Sequence, residues 1–312
     1  MEDVVLSPTT LSVDCFNYTF SGCNNMTKGP QALPATKLAN ASYASMFMDC
    51  WKMESMPRID AVDLPEWSFN GTFARCKAFT EIPDLTFGTL GDDACCDMFY
   101  ECSGIKSCGK ITATRLDGIW CFSEMFYHCT SLVDAPELPT CDLNPGCFGY
   151  MFSGCTSLVS APELPKTQLA KNCYYQMCAY CTNLVKAPNI SQEHPNGILP
   201  ATTLAEKCYQ LMFTGCTSLM NAPEMPATTL DAQCCNEMFK NCTALVNAPN
   251  VTLERPSGML PATSLPSQCY KSMFNGCTSL TTTPYIAANT YDANACESMF
   301  EGCTHLTPAL DL

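Results

Sequence analysis

The stretch Cys178-Ala179-Tyr180-Cys181 has the spacing of a dithiol redox pair or of half a zinc site. It lies in a chain of 312 residues with 25 cysteines and only three histidines, His128, His194 and His305. A redox or metal reading needs thiols set apart from the others, and these are not. With Cys155 as position 0, equivalent cysteines stand at Cys23, Cys50, Cys76, Cys102, Cys129, Cys181, Cys216, Cys242, Cys277 and Cys303, and most have a second cysteine eight residues earlier. Cys181 belongs to this series, and Cys178 fills a slot that holds Phe in every other unit. The pair reads as core filling. Eight residues along a helix span about 12 Å, beyond the roughly 7 Å Cα separation of a disulfide. Anchors on neighbouring units point in parallel, so the series reads as a ladder of reduced, buried thiols. Cys96, Cys108, Cys141 and Cys235 fall outside it and are the candidates for a reactive thiol. No HExxH, glycine-rich phosphate loop or Gly-x-Ser-x-Gly occurs. The expectation is a non-enzyme with no catalytic residue, cofactor or metal.

The elements that hold these residues follow from a repeat. MFSGCTSL at 151–158, MFTGCTSL at 212–219 and MFNGCTSL at 273–280 are one segment written three times. The anchors step by 27, 26, 26, 27, 26, 26, 35, 26, 35 and 26 residues, which makes eleven units. Around Cys155 the unit reads Leu143 (−12), Cys147 (−8), Met151 (−4), Phe152 (−3), Cys155 (0), Leu158 (+3), Ala161-Pro162 and Leu164-Pro165. Apolar residues at i, i+4 and i+8 predict one face of a short helix. A glycine before the anchor, as in Gly154, predicts the helix C-terminus. The proline-punctuated segment that follows predicts a short strand. Neither element buries its apolar face alone, so units must stack. Cys155, Phe152, Leu158, Cys216, Phe213, Leu219, Cys277, Phe274 and Leu280 are the expected core. Strands about 4.8 Å apart and helices about 8–10 Å apart require a curved array with strands inside.

The wording MFxGCTSLxxAPxLPATTLAxxCY resembles the bacterial leucine-rich repeats of the BspA type, found in gut-bacterial surface proteins and in phages that infect such bacteria. The likeness runs over essentially the whole chain. It implies an α/β fold: one curved leucine-rich-repeat solenoid over residues 1–312, with about eleven 26-residue helix–strand units. Three departures stand out. Ser42 and Ser68 replace the −8 cysteine, the Cys102 unit lacks Ala-Pro, and Cys95 and Cys296 are displaced by one position.

Net charge is −14, from 30 acids and 16 bases. That disfavours nucleic acid and anionic membrane surfaces, which need clustered Lys and Arg. No run of 18 apolar residues occurs, so no membrane insertion is expected. The start, MEDVVLSPTTLSVDC, has neither a basic n-region nor an apolar h-region, and no signal peptide is expected.

Binding is expected on repeated surface rows and on two insertions. Positions +4, +5 and +8 are the strand-side candidates, with Glu137, Glu163 and Glu224 in the +8 row. The two 35-residue steps come from nine extra residues after Ala-Pro-Asn: ISQEHPNGI at 190–198 and VTLERPSGM at 251–259. They match at Glu, Pro and Gly, and insertions in a solenoid map to one face, often the binding face. The candidates there are Glu193, His194 and Asn196, and Glu254, Arg255 and Ser257. The expected function is recognition or adhesion, binding a protein or glycan on a cell surface. The protein would sit on a bacterial surface or, lacking an export signal, on a phage virion. The alternative is a structural spacer or assembly protein whose solenoid ends, bare of polar caps, dock a partner subunit.

Overall fold

The computed structural model describes residues 5–251 and 258–307. Among them there is no helix, which corrects the α/β helix–strand unit: the fold is a β-solenoid. The reason lies in the period. An α-helix turns about 100° per residue, so strict four-residue spacing drifts by about 40° per step. From Leu143 to Cys155 the apolar face would rotate by about a third of a turn. The chain instead moves in four-residue steps that do not drift.

Each step is a pair of turns. Within the Cys155 unit, the N–H groups of Cys147, Met151 and Cys155 donate to the carbonyls of Asn144, Phe148 and Phe152, at 3.2, 3.4 and 3.0 Å. The third residue of each turn has a left-handed backbone: Gly146 (φ +70°), Tyr150 (φ +56°) and Gly154 (φ +75°). Such turns require positive φ there. The intervening N–H groups reach across to the next coil: Phe122 to Cys147, Glu124 to Gly149 and Phe126 to Met151, each 2.9 Å. Alternate amides thus close turns and join coils, which satisfies the backbone without helix or sheet. Glycine before the anchor is the end of this turn series and not a helix cap.

Between the turn series the coils pair through short strands and single bridges. The chain divides into two compact units, Met1–Thr156 and Ser157–Leu312. In the first, Leu85–Leu90 pairs in parallel with Ile111–Leu116, and Ala32–Leu33 with Arg58–Ile59. In the second, Met259–Leu260 pairs with Tyr285–Ile286, and single bridges join Ser160 to Lys186 and Asn221 to Asn247. Each pairing links residues one repeat apart.

The core is a set of columns. In the first unit Phe20, Phe47, Phe73, Phe99, Phe126 and Phe152 stack at 5.4–5.7 Å between ring centres. In the second, Phe213, Phe239, Phe274 and Phe300 stack at 5.6–5.7 Å. Phe152, Phe213 and Phe274 are fully buried, as are Leu158, Leu219 and Leu280. The anchor cysteines do more than fill space. The thiol of Cys155 donates to the carbonyl of Phe126 at 3.1 Å, that of Cys242 to Phe213 at 3.0 Å, and that of Cys277 to Phe239 at 3.0 Å. Each such carbonyl also accepts an N–H from the anchor of its own coil, for example Cys216 to Phe213 at 3.0 Å. The thiol takes the second lone pair and ties one coil to the next.

Candidate functional site

The insertion at 190–198 is closed at its root by Asn189. This residue has a left-handed backbone (φ +55°), and its side-chain amide takes over the pairing that the chain gives up there. The amide nitrogen donates to the carbonyls of Leu164 (2.9 Å) and Ile198 (2.8 Å), and the amide oxygen accepts from Leu164 N–H (2.8 Å). Asn250 repeats the device with Met225 and Met259, at 2.8–2.9 Å. In both places the chain returns by a main-chain bond, Ile198 N–H to Pro188 and Met259 N–H to Pro249. Gly197 and Gly258 (φ +82° and +83°) pass so close to those proline carbonyls that a Cβ would lie 2.3–2.4 Å from the oxygen. The matched glycines therefore answer both a backbone and a space requirement. Ile198 then pairs with Glu224 and Met259 with Tyr285, so register resumes after each insertion.

Within the first loop Glu193 is exposed, and His194 and Asn196 are half-buried. His194 N–H bonds to Ser191 Oγ at 3.0 Å, and its Nδ1 lies 2.9 Å from Glu224 Oε2. The loop and the +8 row, two separate surfaces in the sequence, are thus one edge here. Glu163 is exposed beside Leu164. Glu137, in the other unit, pairs with Lys110 at 2.8 Å on the surface. Glu254, Arg255 and Ser257 lie outside the described residues. Sequence reasoning placed Asn189 and Asn250 only in the +8 row and missed that they close the loops, although asparagine at +8 occurs in the two units with insertions and in no other.

The thiols outside the ladder divide. Cys235 is fully buried, because it occupies the −7 slot filled by Tyr209 and Tyr270 in neighbouring units, and burial pushes its thiol well up. It is therefore core, contrary to its reading as a candidate reactive thiol. Cys95 fills the same slot in its unit, which accounts for its one-residue displacement. Burial raises Cys108 to about 12, and burial with the carboxylates of Asp97, Asp93 and Glu124 raises Cys96. Neither is an activated nucleophile. Cys141 is half-buried. Cys178 is fully buried, and its thiol is pushed up to about 12 by burial.

One cavity of about 310 Å³ opens on the turn face of the first unit, lined by Asn70, Gly71, Arg75, Asp97, Tyr100 and Glu124 among others. Arg75 is committed to Asp49 through two bonds of 2.6 and 2.8 Å. Burial, then the charge of Asp97, raises Glu124 to about 7.

No family model and no curated protein matches the sequence. Among solved structures, a leucine-rich repeat protein from Bacteroides ovatus is similar at a TM-score of 0.51 and 19% identity, over 93% of this chain and 68% of that one. A leucine-rich cell surface protein from Faecalibacterium prausnitzii A2-165 gives a TM-score of 0.35 and 16% identity, over 88% of this chain and 76% of that one. The first likeness, with the repeat and its parallel pairing, shows the fold: the chain is a leucine-rich-repeat solenoid built of turns and short strands.

Proposed function

We propose that this chain is a non-enzymatic recognition protein that binds a ligand displayed on a cell surface, through the edge where the 190–198 loop meets Glu224. The observation that carries this reading is the construction of the loop. Asn189, Gly197 and the His194–Glu224 pair hold it in place, while Glu193 and Gln192 stay exposed. A rigid, protruding polar loop costs little ordering entropy on binding. The same root recurs at Asn250, so a second loop of the same design would offer a bivalent contact with an effective-concentration gain.

The test is attachment of fluorescently labelled protein to a panel of intact human epithelial and bacterial cells, with and without residues 190–198 and 251–259. Removing either insertion restores the 26-residue step. Each single deletion should weaken attachment and the double deletion should abolish it, with the fold intact by circular dichroism. Full attachment by a folded double deletion would remove this reading.

A further inference from the structure

In a repeat protein each coil is a control for the others at the same position. On the strand side of the first unit, positions +8 and +9 join neighbouring coils at three junctions. Ala32–Leu33 pairs with Arg58–Ile59, Leu85–Leu90 pairs with Ile111–Leu116, and Ile111 N–H donates to Glu137 at 2.9 Å. The junction between the coils of Cys50 and Cys76 is open instead. Every Cα of Arg58–Ile59 lies more than 8 Å from every Cα of Leu85–Leu90, whereas paired strands stand about 4.8 Å apart. Among the described residues no main-chain bond joins 54–61 to 80–87. The two coils are nonetheless tied on both sides of the gap. Asp49 N–H bonds to Ala74 (2.9 Å) before it, and Gly88 N–H to Val62 (2.9 Å) and Leu64 N–H to Thr89 (2.8 Å) after it. The coil that draws away carries extra bulk: Phe87 is buried at a position that holds Ala61 and Ala113 in the coils on either side.

The gap is a slot of about 390 Å³, with Met56, Pro57 and Ile59 on one wall and Pro83, Leu85 and Phe87 on the other. That volume is within the range of ligand sites. Its edges are main chain, because successive residues of a paired strand turn their N–H and C=O groups to opposite sides. Arg58 and Asp60 donate to Gln31 and Leu33 of the preceding coil (3.0 and 3.2 Å), so Ile59 turns its groups into the slot. Leu85 donates to Lys110 of the following coil (2.9 Å) and Gly88 back to Val62, so Thr86 turns its groups into the slot from the other side. Two facing strand edges, each paired on its far side, fit a third strand, which needs about 9.6 Å between its neighbours. A small apolar molecule would cover the walls and leave both edges unpaired. The rim carries Glu54, Glu81 and Asp84, all exposed, and Arg58 beside them is held by Asp60 through two bonds of 2.6 and 3.0 Å. Lys106 and Lys110 belong to the next coil, and Lys110 pairs with Glu137. The rim therefore favours a basic occupant.

We infer that this slot docks an extended, basic segment of a protein partner, inserted as a strand between Ile59 and Thr86. Its apolar side chains lie against Met56 and Leu85, and its basic ones face Glu54 and Glu81. Recognition of this kind takes affinity from main-chain bonds and specificity from alternate side chains. It is a second binding site, within the first unit, and does not depend on the loop edge.

The probe is a phage-displayed library of random nine-residue peptides, and the target is the full chain. Thr86→Pro removes an N–H that the free protein leaves unpaired, a place where a strand tolerates proline; Thr86→Val keeps that N–H. Peptides are selected that bind the wild type after depletion on Thr86→Pro. One is synthesised unmodified and with either set of alternate amides N-methylated. A further variant, Glu54→Lys with Glu81→Lys, reverses two exposed charges. The inference expects enriched peptides with alternating apolar residues and an excess of Lys and Arg, bound by Thr86→Val as by the wild type. It expects at least about a tenfold loss of affinity, the size of one lost hydrogen bond, for Thr86→Pro, for the charge variant and on methylation of either amide set. A peptide pool exhausted by the depletion overturns it. So does a loss confined to one amide set, which is addition to a single edge, or no loss from either, which is a pocket for side chains alone. Should Thr86→Pro fail to fold, selection runs without depletion, and binding unchanged by methylation and by the charge variant overturns the inference.

Discussion

His194 Nδ1 lies 2.9 Å from Glu224 Oε2, so the tip of an inserted loop is tied to the coil that follows it. Both side chains are about one-third exposed, at 32% and 34%. Such a pair contributes little global stability, about 0–1 kcal/mol. Replacing His194 by Ala should leave the melting temperature nearly unchanged and speed hydrogen exchange at residues 190–198. Unaltered exchange there would show that the pair does not hold the loop.

Asn189 should matter far more. Asn189→Ala removes three hydrogen bonds from a partly buried site, and leaving such groups unpaired costs about 1–3 kcal/mol. Alanine also tolerates the left-handed backbone poorly, at about 1–2 kcal/mol. Denaturant unfolding should show Asn189→Ala less stable than Asn189→Gly, which keeps the backbone geometry and loses only the amide. Equal stability of the two would deny the left-handed conformation its role.

These roots show what the sequence could and could not disclose. The repeat step, the anchors and the two insertions are written as spacing, and spacing survives without coordinates. Leu143, Cys147, Met151 and Cys155 also carry the true period, four, but a short stretch of that period is shared by a helix and by a series of turns. The tie breaks on backbone φ at Tyr150 and its equivalents, and residues such as Tyr, Glu and Gln give no hint of it. The His194–Glu224 pair spans 30 residues and depends on how one coil lies on the next. The function of Asn189 was legible only as an odd residue in the +8 row.

The phenylalanine column predicts graded losses. Phe239 is stacked on both sides, at 5.7 Å from Phe213 and 5.6 Å from Phe274. Phe239→Ala should cost about 3–5 kcal/mol. Phe300, stacked on Phe274 and less buried, should cost less. Calorimetric unfolding of the two variants checks the order.

Thiol labelling should follow burial. Cys15 and Cys23 are exposed, whereas burial pushes Cys242 to about 12 and keeps it as the neutral thiol. Alkylation of the native protein at pH 8, mapped by mass spectrometry, should mark Cys15 and Cys23 first and Cys242 only after unfolding. Labelling of Cys235 as fast as Cys15 would contradict its place in the core.

Glu124 makes stability depend on pH. Its folded value, about 7, is raised by burial and then by Asp97 above the usual carboxylate value, and burial also raises Asp97. Below about pH 4.5 the glutamate is protonated folded and unfolded; between there and about 7 only the folded state keeps the proton. Its contribution is therefore complete in acid and is lost as pH rises through about 7. Glu124→Gln should remove part of the fall in melting temperature between pH 5 and pH 8. An identical fall in the variant would place the effect elsewhere.

The central structural claim is that the four-residue period is a series of left-handed turns and not a helix. Ser298 is exposed with φ +53°, and Lys207 occupies an equivalent kind of position at +58°. Glycine relieves the strain of a left-handed residue, about 1–2 kcal/mol, but destabilises a helix interior by about 1 kcal/mol relative to alanine. The most direct measurement is the difference in unfolding free energy between Ser298→Gly and Ser298→Ala. The turn solenoid predicts that the glycine variant is the more stable by about 1 kcal/mol; an alanine variant more stable by a similar amount would contradict it.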